Sequence, residues 1–109
     1  MSKATVPQHL AEAERALRAG LPDEARDHFQ SVLAIDSDEP SARNWLGADA
    51  LARSDAAAAA GHFLIACKRE PNELAHWINL AAANRILNDS HKVRSASAPY
   101  FHLLNRDWN

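Results

Sequence analysis

Sliding the chain along itself by 34 positions brings like residues into register, and this internal period limits the possible folds more than any other feature of the sequence. Gly20, Ser54 and Asn88 stand 34 apart, as do Ala25, Ala59 and Val93, and also Ala13, Gly47 and Ala81. At the same interval Phe29 matches Phe63, Leu46 matches Leu80 and Asp36 maps onto Glu70. Small residues thus recur where packed elements touch, and aromatic residues recur where the space between them needs filling.

Inside each unit the apolar spacing is helical. Leu10, Ala13 and Leu17 share one helix face, and Gly20-Leu21-Pro22-Asp23 then breaks the run and opens a new helix carrying Ala25, Phe29, Val32 and Leu33. That helix stops around Asp36 to Pro40. A third presents Trp45, Leu46, Ala50 and Leu51 and turns at Ser54-Asp55, where the aspartate is placed to cap the alanine run from Ala56 to Ala60. Phe63, Ala66 and Cys67 continue this fourth helix as far as Pro71. A fifth is expected from about Asn72 to Leu87, with Trp77 in the interhelical core and Asn88-Asp89-Ser90 ending it. Alanine supplies 23 of the 109 residues, beside only 3 Gly and 5 Pro, and alanine loses no side-chain entropy on entering a helix. The expected class is all-α, in one domain spanning 1–109.

A 34-residue helix-turn-helix unit with Leu-Gly in its first helix, Ala and a large aromatic in its second, and an acidic residue with Pro at its close resembles the tetratricopeptide repeat. Pro40 to Glu73 carries the resemblance best, through Leu46-Gly47, Ala50, Ala59, Phe63, Ala66 and Pro71. The third unit opens in the same way with Trp77, Leu80 and Ala81, whereas the first has Glu12 where leucine is usual. The resemblance implies repeats over about 7–39, 40–73 and 74–98, wound as a right-handed superhelix of antiparallel helix pairs. It departs from the family after Val93: Ser97 stands at the aromatic position, and Pro99 interrupts any continuing helix. Two readings of 97–109 follow. Either Ser97 caps a fresh helix whose Tyr100, Phe101, Leu103 and Leu104 close the open end of the stack, or the chain is a fragment of something longer.

Chemistry-bearing patterns are scarce. Twelve Lys and Arg against fourteen Asp and Glu leave a net charge of -2, so no basic surplus exists to neutralise nucleic-acid phosphates. Cys67 has no disulfide partner and reads as a small buried hydrophobe, which suits a reducing, cytoplasmic setting. Neither a signal-like N-terminus nor an apolar run of membrane-spanning length is present in the sequence, so no membrane role is expected. The six histidines, His9, His28, His62, His76, His91 and His102, lack the short spacings of zinc ligands and read as helix-surface residues, with His28 and His62 at matching positions. Phosphate-binding glycine loops and hydrolase or metalloprotease motifs are missing. Asp23 with Glu24, and Asp36 with Asp38, sit at helix ends where capping and dipole interactions account for them. The expectation is no catalytic site, no metal and no cofactor.

What the resemblance adds is a surface, because first helices of such repeats line a concave groove. Its positions fall here on Leu10, Glu14, Leu17 and Arg18, on Asn44, Trp45, Ala48 and Leu51, and on Ile78, Asn79, Ala82 and Arg85. They form an apolar strip with two amides able to bond a peptide backbone and two arginines suited to carboxylates. The implied partner is a peptide or a partner's helix. The chaperone-tail clamp of the family is disfavoured, since Leu10, Glu14 and Ala75 replace its Lys, Asn and Lys, and Asn79 alone comes near its pattern. Two other readings stay open. One is the N-terminal helper of a larger enzyme, in the style of repeats that precede aspartyl/asparaginyl β-hydroxylase-like dioxygenases. The other is a self-associating scaffold joined through Tyr100, Phe101, Leu104 and Trp108.

Overall fold

The computed structural model describes residues 3–96 and is helical throughout its regular structure, with no strand among the described residues. The helices are α1 Val6–Arg18, α2 Pro22–Ile35, α3 Pro40–Ala52, α4 Ala56–Arg69 and α5 Leu74–Ala96. Val6, Pro40 and Leu74 open helices 34 residues apart, and Pro22 and Ala56 do the same, so the period of the sequence is also the period of the backbone. The possible capping segment 97–109 and the aromatic residues assigned to self-association lie outside the described residues.

Local chemistry fixes the ends. Thr5 and Gln8 form a reciprocal box: the Thr5 hydroxyl accepts from the Gln8 amide at 3.3 Å, and Gln8 Oε1 accepts from the Thr5 amide at 2.7 Å. Asp55 caps α4 as its sequence position implies, accepting from the Ala58 amide at 3.0 Å. Pro22 and Pro40 occupy first turns, where a missing N–H costs nothing. Both hairpin turns are the same motif. Leu21 N donates to Ala16 O and Asp55 N to Ala50 O, each at 2.8 Å, across residues in left-handed backbone, Gly20 at φ +75° and Ser54 at φ 64°.

At the third equivalent position the chain behaves differently: Asn88 lies inside α5, which runs 23 residues instead of ending at 88–90. Asn costs a helix interior well under about 1 kcal/mol, while each residue added to a formed helix gains a backbone hydrogen bond. A turn at 88 needs the packing of a returning helix to outweigh that gain, and sequence spacing alone does not supply it.

The core is built from small residues on facing helices with aromatics between them. Ala13, Ala16, Ala25, Phe29, Val32, Ala42 and Leu46 form one cluster joining α1, α2 and α3, and Ala50, Ala59, Phe63 and Ala83 form a second joining α3, α4 and α5. Trp45 stacks on Phe29 with centroids 4.9 Å apart, and Phe63 lies against the bare backbone of Gly47. Burying such a ring contributes about 1.5–3 kcal/mol. The extensive contacts all join helices adjacent in the chain, and α1 shares none with α5. The described helices are therefore an array that does not close on itself.

Candidate interaction surface

Each hairpin carries a polar pair at one register position. His9 Nδ1 faces His28 Nδ1 at 3.2 Å in the first, and Arg43 Nη1 faces His62 Nδ1 at 3.0 Å in the second, so residues 9 and 43, and 28 and 62, are structural equivalents. Burial, with the Arg43 charge second, holds His62 below the ordinary imidazole pKa. The next equivalent of His9 and Arg43 is Trp77, which corrects its expected burial: it is 44% exposed and its Nε1 donates to Pro71 O at 2.8 Å. The reason is positional, because this register point lies on the half-buried rim of a hairpin, where an amphipathic ring fits with its N–H paired.

His76 is a second correction. It is 5% exposed, in contrast to a surface histidine, because both ring nitrogens are satisfied: Nε2 meets Glu70 Oε1 and Nδ1 meets Asn44 Nδ2, each at 2.8 Å. This relay ties α5 to α3. Asn44 Oδ1 is buried with no hydrogen-bond partner among the described residues.

The groove positions divide accordingly. On α1, Leu10 is half-buried against the first cluster, Leu17 is exposed, and Glu14 and Arg18 are exposed with their charges 3.9 Å apart. On α3, Asn44 is engaged by His76 and Trp45 by Phe29, while Ala48 is exposed. Leu51 lines a recess of about 530 Å³ between the α3–α4 turn and Ile86 and Leu87 of α5. On α5, Ile78, Ala82 and Arg85 meet in one recess of about 330 Å³ together with Ala81, and Asn79 is half-buried beside them in sequence. Ile78 is 58% exposed, with Leu74 and Ile86 also open on the same helix.

A larger apolar recess went unread in the sequence. Val6 and His9 at the start of α1 and Ala34 and Ile35 at the end of α2 line about 730 Å³ with Lys3, Ala4, Thr5 and Ser31. The signal was present, since an antiparallel hairpin sets the first turn of one helix beside the last turn of the next.

Cys67 is fully buried and its thiol is pushed up by that burial, which disfavours the reactive thiolate. Among the described residues no three His, Cys, Asp or Glu side chains converge to hold a metal ion, and no helix is long and apolar enough to cross a membrane. Comparison with family models, with curated proteins and with solved structures finds no match.

Proposed function

We propose that the chain is a non-catalytic protein-interaction module of the tetratricopeptide type, its helix pairs wound as a right-handed superhelix whose first helices bind a peptide or a partner's helix. The 34-residue spacing of helix starts and the unclosed order of contacts support the repeat reading. The observation that carries the binding reading is Ile78, a large aliphatic side chain more exposed than buried at the edge of a recess it shares with Ala82 and Arg85. An exposed apolar residue in a concavity gains about 25 cal/mol for each Å² a partner covers, and Arg85 adds a donor for a partner carboxylate. Asn44 and Trp45 act in this reading as supports, joining the helices that present the surface. The setting is cytoplasmic, the partner is a polypeptide, and nucleic acid, membrane and cofactor play no part.

The test compares Ile78→Asp, Asn79→Ala and Arg85→Ala with wild type in affinity capture, with helicity followed by circular dichroism. Loss of the same captured polypeptide in Ile78→Asp and Arg85→Ala at unchanged helicity is expected. Capture by all three variants equal to wild type would show that α5 does not form the binding face.

A further inference from the structure

His9 and His28 approach one another in a way that packing does not require. Their Nδ1 atoms are 3.2 Å apart, their ring centroids 5.5 Å apart and their planes inclined at 42°. Two neutral imidazoles reach this distance either by one N–H donating to the other's lone pair or by both lone pairs meeting a common Lewis acid. At the usual metal–nitrogen bond of about 2.0–2.1 Å, two ligand nitrogens stand about 3.3–3.4 Å apart in a tetrahedral shell and about 2.9 Å apart at right angles. The observed separation lies between these values.

The second hairpin shows what this position faces. There His62 Nδ1 receives Arg43 Nη1 at 3.0 Å, a cation set against an imidazole lone pair. The first hairpin keeps the imidazole as His28 but replaces the fixed cation with a second imidazole, His9. Its surroundings are acidic. Glu12, one turn after His9, and Glu24, one turn before His28, line a recess of about 160 Å³ together with His28. Arg15 lines it too, and Glu12 is turned toward that arginine at 2.9 Å, so the carboxylate set is partly neutralised in this arrangement.

We propose that His9 and His28 together ligate a divalent transition-metal ion of the imidazole-preferring class, with Zn²⁺ as its representative and water completing the shell. The ion joins α1 to α2 and takes the place that the Arg43 charge holds in the next hairpin. Glu12 and Glu24 favour the cation through their field without ligating it, consistent with the lack of a third converging donor among the described residues. Two protein ligands make the site weaker than a closed structural zinc site.

Zinc chloride titrated into the full chain, followed by calorimetry and thermal melting, tests this. One ion per chain and a saturable rise in Tm are expected, because a ligand that binds only the folded state stabilises it. His9→Ala and His28→Ala should each weaken binding at least about ten-fold and abolish the rise, while His62→Ala should change neither. Absence of saturable binding, or affinities in His9→Ala and His28→Ala equal to wild type, would overturn the assignment and leave a plain imidazole–imidazole hydrogen bond. Should an alanine variant lose helicity, ring ¹⁵N shifts in the wild-type chain give the same decision: zinc must move both Nδ1 resonances of His9 and His28, and movement confined to other histidines would refute the site.

Discussion

Arg26 of α2 and Asp49 of α3 form a bidentate pair, Nε to Oδ2 at 2.8 Å and Nη2 to Oδ1 at 3.0 Å. It spans the junction between the two hairpins, where α2 and α3 touch far less than partners within a hairpin do. Asp49 also receives Arg53 at 2.9 Å and Arg26 reaches Asp23 at 2.8 Å, so four charges are linked across the least-packed contact of the array. The Arg26 hydrogen bonds, with help from Arg53, hold the Asp49 carboxyl below the ordinary aspartate value.

Replacing Asp49 should consequently loosen one hairpin from the other. Asp49→Ala is expected to lower Tm by about 4–8 °C, the scale for losing one set of charged hydrogen bonds in a chain of this size. Asp23→Ala, which removes only an exposed partner of Arg26, should lower it far less. Differential scanning calorimetry of the two variants checks the ranking.

Gly47 is required by Phe63. A Cβ at position 47 would stand 2.5 Å from Phe63 Cε1 and 2.8 Å from Cδ1, and the ring is too buried to swing aside. Gly47→Ala should destabilise by about 1–3 kcal/mol in denaturant unfolding, and Phe63→Leu in the same background should recover part of the loss. The equivalent Ala13 is accommodated beside Phe29 in the first hairpin, so the conflict belongs to this site and not to the repeat position as such.

Ser54 holds left-handed backbone at φ 64°, where its counterpart Gly20 carries no Cβ penalty. Ser54→Gly should stabilise by about 0.5–1 kcal/mol, the relieved strain less the added entropy of the unfolded chain. Gly20→Ala should move Tm in the opposite direction. Thermal melts of both variants decide this.

Stability should fall in two steps on acidification. The folded pKa of His62 is depressed, so its contribution is complete above the unfolded value of about 6.5 and is lost as pH drops through that value to the folded one. Asp49 and Asp36, held down mainly by Arg26 and Arg69, contribute fully above about 3.9 and lose that contribution as pH falls further through their folded values. Tm measured from pH 8 to pH 3 should show both steps, and His62→Gln should remove the first alone.

Much of the fold was legible because the period is carried by residues whose roles are local or packed against chain neighbours. Asp55 announces its cap, Gly20 and Ser54 their turns, and Phe29 and Phe63 their pockets. Asn88 misled because the same turn signal is decided by tertiary packing and not by the residue itself. Trp77 misled because its size suggests a core position, whereas its register equivalents His9 and Arg43 mark a rim. For the surface, Ile78, Ala82 and Arg85 come together as the spacing implies, being one helix turn apart. Asn44 and Trp45 do not, since their partners His76 and Phe29 lie 32 and 16 residues away in the chain and no local pattern connects them.

The most direct test of the binding face is a photo-crosslinking amino acid placed at Ile78, with Lys68 on the exposed side of α4 as the control position. Crosslinking of a polypeptide from position 78, competed away by excess unlabelled chain and absent from position 68, is the expected result. Equal crosslinking from both positions, or none from 78 while the chain still captures its partner, would contradict the assignment of binding to the α5 surface.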